Sequence, residues 1–104
     1  MSQDNIGDFS YRNRELSCDS VSLLDVVRQF GTPTYVYSLA QLRAGAQAYL
    51  AASARLRDRC LICYAVKANG NPTLLRLLAG LGLGADIVSG GELFLAKTAG
   101  FRAQ

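Results

Sequence analysis

The stretch Leu61-Ile-Cys-Tyr-Ala-Val-Lys-Ala-Asn-Gly-Asn-Pro-Thr-Leu-Leu75 joins an apolar run, a turn and the start of a leucine-rich segment. An apolar run of this length is typical of a strand buried on both faces of a parallel sheet. The turn favours a helix directly afterwards, because Asn71 is a good N-cap and Pro72 is a good first helical residue. The stretch therefore predicts a buried strand over residues 61–67 and a helix that begins at Pro72.

The same order of elements repeats downstream. Ala85-Asp-Ile-Val88 predicts a second buried strand, and Ser89-Gly-Gly-Glu92 predicts a capped helix that ends at Gly100. Strands that alternate with helices through short loops indicate parallel strands with right-handed crossovers. The expected fold class is therefore α/β. Two strands do not form a stable sheet alone, so we expect a piece of a larger protein. A full (β/α)8 TIM barrel needs about 250 residues, and this chain would hold roughly a quarter of one.

The residues before the apolar run predict four further elements. They are an edge strand at Phe9-Ser-Tyr-Arg12, a helix from Ser22 to Gly31, a strand at Thr34-Tyr-Val-Tyr37 and a helix from Ser38 to about Arg57.

Composition excludes several classes of protein. The net charge is +3, and the nine arginines and two lysines are scattered, so there is no basic patch for nucleic acid. The polar, acidic start is unlike a signal peptide, and no apolar run approaches the ~18–20 residues that span a membrane. We therefore expect a cytoplasmic protein. Three cysteines argue against a disulfide framework.

Cys60 and Cys63 form a C-x-x-C pair inside the apolar run. Residues three apart in a strand point to opposite faces, so the pair is unsuited to a metal or redox site. We interpret both as core cysteines. The chain has no histidine, so any histidine that a mechanism needs must come from elsewhere.

Lys67 lies where a functional site is expected, since sites in parallel α/β folds gather at the carboxyl ends of strands. Strand alternation would place Lys67 on one face with Ala65 and Cys63. Apolar neighbours would desolvate its ammonium group and favour a neutral, nucleophilic amine suited to Schiff-base chemistry. The alternative is a strand-end lysine whose side chain extends into water.

Two further features lie near the expected end of the neighbouring strand. Asp86 falls inside a buried strand, where a carboxylate needs a partner such as a cation on the adjacent strand. The alternative is an edge aspartate that binds loop backbone amides. Ser89 opens a helix that could bind an anion such as phosphate, although its capping box already explains it.

Three segments in sequence order resemble the diaminopimelate decarboxylase family, within the alanine-racemase-like, pyridoxal-phosphate-dependent enzymes. They are Tyr64-Ala-Val-Lys-Ala-Asn69, Leu74-Leu-Arg-Leu-Leu78 and Gly84-Ala-Asp-Ile-Val-Ser-Gly-Gly-Glu-Leu93. Phe30-Gly-Thr-Pro-Thr-Tyr-Val-Tyr-Ser38 and Ala99-Gly-Phe101 also match. The resemblance covers most of residues 21–101.

The resemblance implies a fold and a set of site residues. Residues 1–33 would form an N-terminal segment with one helix that packs on a β-domain absent from this chain. Residues 34–104 would form the first β/α units of the pyridoxal-phosphate-binding barrel. Lys67 would carry the cofactor as a Schiff base, with Asp86 beside it and Ala65 and Ser89 as further candidate contacts. No metal is expected.

The resemblance also implies a reaction, the decarboxylation of meso-2,6-diaminopimelate to L-lysine by a full-length, homodimeric parent. The substrate would be a small amino acid, with no nucleic-acid or membrane partner. The alternatives are an ornithine or arginine decarboxylase of the same fold, or a catalytically dead relative. Residues that bind the phosphate and the far end of the substrate would lie beyond residue 104, so we expect the isolated chain to be inactive.

Overall fold

The computed structural model describes residues 8–103, without the side chains of residues 57 and 58. The chain divides into two compact units, Met1–Ala44 and Gly45–Gln104. The helix α2 (Leu39–Ser53) begins in the first unit and ends in the second. This division by compactness falls after Ala44. The expected boundary between residues 33 and 34 rests on the family resemblance, which compactness does not test, so it stays a prediction.

The first unit contains an antiparallel meander of three strands, β1 (Phe9–Arg12), β2 (Glu15–Cys18) and β3 (Val21–Ser22). The prediction of a strand at 9–12 is confirmed. Two-residue loops join the strands, and all four loop residues have positive φ: Asn13 51°, Arg14 68°, Asp19 49° and Ser20 75°. Such loops match the twist of paired strands. Neither loop contains glycine, so β2 and β3 lack the usual hairpin signal in the sequence.

The helix α1 (Leu23–Phe30) has both predicted ends. The Ser22 hydroxyl accepts a hydrogen bond from the backbone N–H of Leu24 at 3.2 Å. At the other end Gly31 has a φ of 78° and donates its N–H to the Val27 carbonyl at 2.8 Å. Local capping therefore fixes the length of α1.

The start of α2 is tied to the meander. The Ser38 hydroxyl accepts a hydrogen bond from the backbone N–H of Gln41 at 2.9 Å and donates to Asp19 at 2.6 Å. Asp19 also accepts a hydrogen bond from the backbone N–H of Ala40 at 3.2 Å. The Ser38 and Ala40 hydrogen bonds hold the pKa of Asp19 below its usual range. The predicted N-cap is confirmed, and a 3₁₀ helix (Ala54–Arg59) continues α2 past Ser53.

The predicted strand over residues 34–37 is wrong. The backbone there forms no strand, and the side chain of Tyr35 is 90% exposed. A strand requires hydrogen bonds to a neighbour, and β4 and β5 are paired only with each other in the part of the chain that the structure describes. Aromatic and β-branched composition alone does not supply that neighbour.

The second unit is a β-α-β-α arrangement, as predicted. Its elements are β4 (Cys63–Ala65), a 3₁₀ turn (Val66–Ala68), α3 (Pro72–Gly80), β5 (Gly84–Asp86) and α4 (Gly90–Ala99). The strands are parallel, in the register Cys63↔Gly84, Tyr64↔Ala85 and Ala65↔Asp86. The mixed α/β class is therefore confirmed.

The core of the second unit lies on α3 and on the turn after β4. Leu75, Leu78 and Val66 are 0%, 1% and 1% exposed. The prediction that residues 61–67 are buried on both faces is wrong, since Leu61 is 51% exposed and Cys63 is also exposed. Two strands and two helices cannot cover every surface of the sheet. No helix among the described residues has the length and apolarity needed to cross a membrane.

Candidate lysine site at the carboxyl ends of two parallel strands

The parallel pairing of β4 and β5 builds the edge on which the site residues lie. Ala65 and Asp86 are the last residues of their strands and are partners in register. Because the strands are parallel, the segments that follow both residues leave the sheet at the same end. One segment carries Lys67 and the other carries Ser89.

Lys67 lies in the 3₁₀ turn and not in the strand. The strand ends at Ala65, and the turn Val66–Ala68 follows at once. Strand alternation stops at Ala65, so the prediction that Lys67 continues the face of Ala65 and Cys63 is wrong. Val66 is buried, whereas Lys67 is exposed. The expected desolvation of its amine by apolar neighbours is therefore not found in the described chain.

Asp86 is also exposed, which corrects its interpretation as a buried carboxylate. The predicted strand over residues 85–88 is shorter and ends at Asp86. Asp86 therefore lies at the rim of the sheet, where water reaches its carboxylate. Its position beside the half-buried Ala65 agrees with the expected edge of the sheet.

Ser89 is the N-cap of α4 and uses its hydroxyl for that purpose. Its Oγ accepts a hydrogen bond from the backbone N–H of Glu92 at 3.1 Å. Glu92 reaches back and accepts a hydrogen bond from the backbone N–H of Val88 at 2.7 Å. The reciprocal capping predicted for this motif is therefore present, except that Glu92 accepts from the backbone N–H of Val88, one residue before the N-cap, and not from that of Ser89. The Ser89 side chain is exposed.

A contact that the sequence did not reveal spans the Lys67 turn. The Tyr64 hydroxyl donates a hydrogen bond to the Asn69 carbonyl at 3.0 Å. The Asn69 side chain accepts a hydrogen bond from the backbone N–H of Asn71 at 3.0 Å. Asn71 in turn caps α3 by accepting from the backbone N–H groups of Thr73 and Leu74 at 2.9 and 3.5 Å. Apolar patterning shows Tyr64 only as a strand residue, so no sequence signal indicated its role.

The cysteines of the C-x-x-C pair are free thiols in different surroundings. Cys60 is half-buried, and Cys63 is exposed, so the interpretation of Cys63 as a core residue is wrong. Cys63 faces the neighbouring strand, where Gly84 is its register partner. Within residues 8–103, no group of three potential metal ligands is found.

The arrangement suits a ligand that carries an aldehyde. Lys67 presents an exposed primary amine at the end of a parallel strand, and amines of this kind condense with carbonyl groups. A carboxylate at Asp86 and the amino end of α4 are placed at the same edge by topology. The residues present therefore fit a carbonyl-containing cofactor.

Comparison with known proteins places these residues in a family. Residues 39–104, more than half of the chain, match the family described as pyridoxal-dependent decarboxylase, pyridoxal binding domain. Diaminopimelate decarboxylase of Aquifex aeolicus is 54% identical over 90 residues, which cover 86% of this chain and 20% of that protein. The enzyme of the same name from Pseudomonas aeruginosa is 50% identical, with coverage of 88% and 22%.

A solved structure agrees with the sequence relatives. Diaminopimelate decarboxylase from M. jannaschii, crystallised with L-lysine, superposes with a TM-score of 0.79 at 37% identity. The superposition covers 88% of this chain and 22% of that structure. This chain thus spans about a fifth of the length of the relatives that it matches. It belongs to the pyridoxal-binding domain family of the pyridoxal-dependent decarboxylases.

Proposed function

We propose that the protein containing this chain binds pyridoxal 5′-phosphate through Lys67 and decarboxylates meso-2,6-diaminopimelate to L-lysine. The observation that carries the proposal is the place of Lys67. It is exposed, lies in the 3₁₀ turn that directly follows β4, and belongs to the segment that matches the pyridoxal-binding family. The relatives named diaminopimelate decarboxylase, at 54% and 50% identity, favour this substrate over ornithine or arginine.

Lys67 would hold the cofactor covalently between turnovers and give it up when the substrate's amino group takes its place. Its position in the turn after β4, at the edge where both parallel strands end, supports this role. When bound, pyridoxal phosphate supplies an electron sink for the pair left on the substrate carbon as CO₂ departs. A proton then takes the place of the lost carboxyl group on that carbon.

The neighbouring residues would orient the reactants. The exposed carboxylate of Asp86 would attract the positively charged amino groups that exchange at this edge. The small side chain of Ala65, in register with Asp86, would leave room beside the strand end. Ser89, the exposed N-cap of α4, would be a further candidate contact of the cofactor at the same edge of the sheet.

The proposal extends to the architecture and assembly of the whole protein. Residues 34–104 would be the first β/α units of a (β/α)8 barrel, and residues 1–33 would pack on a separate β-domain. The parallel β4–β5 pair supports a barrel, since its two strands and two helices need further strands to cover the sheet. A cytoplasmic homodimer completes the proposal.

Covalent trapping tests the proposal directly. The protein containing this chain is incubated with pyridoxal phosphate, reduced with borohydride and mapped by peptide mass spectrometry. We expect the label on Lys67, its loss in Lys67→Ala, and its retention in the matched control Lys97→Ala. A label mainly on Lys97 in place of Lys67, or on neither lysine, would contradict the proposal.

A further inference from the structure

The position of the Lys67 amine depends on a short segment of backbone. The side chain is exposed, and its residue belongs to a 3₁₀ turn of three residues. Such short turns have poorer hydrogen-bond geometry than an α-helix. The buried Val66 side chain holds the first residue of the turn, so the position of the Lys67 amine depends on how the far side of the turn is held.

Tyr64 joins those two sides. Its backbone lies in β4 and pairs with Ala85, while its hydroxyl donates a hydrogen bond to the Asn69 carbonyl at 3.0 Å. The bond links residues five apart and encloses the whole 3₁₀ turn. It is partly buried, so water competes with it less than with a surface contact.

The far side of the bond is itself held in place. The Asn69 side chain binds the backbone N–H of Asn71, which caps α3. The next residue, Gly70, lies so close to α4 that an added Cβ would stand 3.1 Å from Cδ1 of Leu95. The Asn69 carbonyl is therefore a fixed acceptor between α3 and α4.

We propose that Tyr64 is a positioning residue for Lys67, acting through its hydrogen bond across the turn to the Asn69 carbonyl. The inference rests on the proposed function, because it concerns how the amine of Lys67 is presented to an aldehyde. Tyr64 needs no contact with cofactor or substrate to act in this way. Loss of the hydroxyl loosens the Asn69 side of the turn, so the amine spends less time in the reactive position.

The test compares two lysines within one molecule. Tyr64→Phe is made in the protein containing this chain, together with Tyr49→Phe, which removes a hydroxyl from a 66% exposed side chain on α2. Leu75→Val is the control for general destabilisation, since Leu75 is fully buried on α3. The initial rates at which pyridoxal phosphate labels Lys67 and Lys97 are measured after borohydride trapping, and the ratio of the two rates is the readout.

We expect Tyr64→Phe to lower the Lys67:Lys97 ratio about three- to tenfold, the range set by one net hydrogen bond. Both controls should keep the ratio of the unaltered protein, because a loss of global stability affects the two lysines alike. Gly70→Ala provides a second variant that disturbs the same loop from the side of Leu95. It should lower the ratio in the same direction, and amide exchange at residues 66–69 should become faster in both variants.

The outcomes separate this inference from the proposed function. Suppose that Lys67 is labelled, but that the Lys67:Lys97 ratio in Tyr64→Phe stays within about twofold of the ratio in the unaltered protein. That result would overturn the inference alone. An equal fall in Leu75→Val would also overturn it, because the effect would then be general. Absence of any label at Lys67 in the unaltered protein would overturn the proposed function and this inference with it.

Discussion

The missing side chain of Gly84 allows β5 to lie close to Cys63. An added Cβ would stand 2.8 Å from the Cys63 sulfur and 3.3 Å from Cδ2 of Leu61. Real contacts are longer than this, so the neighbouring side chains would have to move. Gly84 therefore has a steric role that the sequence pattern alone does not reveal.

We expect Gly84→Ala to lower the free energy of unfolding by about 1–2 kcal/mol, since overpacking has a cost of this order. Rotation of the exposed Cys63 thiol limits the loss. In a Cys63→Ala background the same change should cost clearly less. Thermal or urea unfolding of the two single variants and the double variant measures this coupling.

Gly45→Ala is the matched control for that experiment. Gly45 lies within α2, and an added Cβ would meet no atom within 4 Å. Alanine is the better helix former, so stability should rise by up to about 1 kcal/mol. Equal destabilisation by the changes at 84 and 45 would refute the steric account.

Asp19 gives the first unit a pH dependence of known sign. Hydrogen bonds from Ser38 and Ala40 lower its pKa in the folded protein. Its contribution is therefore complete above the unfolded pKa of about 3.9 and is lost as the pH falls through the lower folded value. We expect Asp19→Asn to be less stable than the unaltered protein at pH 6, with the difference shrinking below about pH 4.

Unfolding curves collected between pH 3 and pH 6 measure that difference. Asp25→Asn is the control, because Asp25 forms an exposed ion pair with Arg28 at 3.0 Å. Exposed pairs of this kind contribute little to stability. A difference for Asp19→Asn that grows toward low pH would contradict the assigned direction.

The helices of this chain begin at short polar caps that the sequence already indicates. At each cap a side chain accepts a hydrogen bond from a backbone N–H in the first turn. These caps are Ser22, Ser38, Asn71 and Ser89. The interaction involves residues two or three positions apart, so sequence alone contains everything needed to predict it. The strand over residues 34–37 was wrongly predicted because its formation depends on a partner that is remote in sequence.

Asn71 offers the clearest test at the level of an element. Asn71→Ala removes the acceptor for two backbone N–H groups at the start of α3, and we expect a loss of about 1 kcal/mol. Asn71→Ser should restore most of the loss, since serine caps nearly as well. Thr73→Ala, at an exposed position in the same turn, should change little. A serine variant no more stable than the alanine variant would count against a capping role.

For the molecule as a whole, the sequence predicts the order of the elements better than the burial of individual side chains. The parallel β-α-β-α order and the end of the sheet that carries Lys67 followed from patterning. Patterning did not predict that Lys67, Asp86 and Cys63 are exposed, because burial depends on which elements cover a surface. The Tyr64–Asn69 hydrogen bond was equally hidden, since strand patterning describes faces and not the reach of one hydroxyl.

Activity belongs to this largest scale. We expect the protein containing this chain to form L-lysine from meso-2,6-diaminopimelate when pyridoxal phosphate is supplied. The 104-residue chain alone should form none, because β4 and β5 pair only with each other among the described residues, which leaves both edges of the parallel sheet unpaired there. Chromatographic assay of lysine decides both points, with ornithine as the comparison substrate. Lysine formation by the 104-residue chain would refute the second expectation.

The two loops of the N-terminal meander have a consequence for engineering thermostability. Asn13, Arg14, Asp19 and Ser20 hold left-handed backbone conformations without the help of glycine. For most side chains that conformation costs about 1–2 kcal/mol. Arg14→Gly and Ser20→Gly would create Asn-Gly and Asp-Gly, the pairs most favoured in such loops. These two substitutions, remote in sequence from Lys67, should therefore raise the free energy of unfolding of the meander.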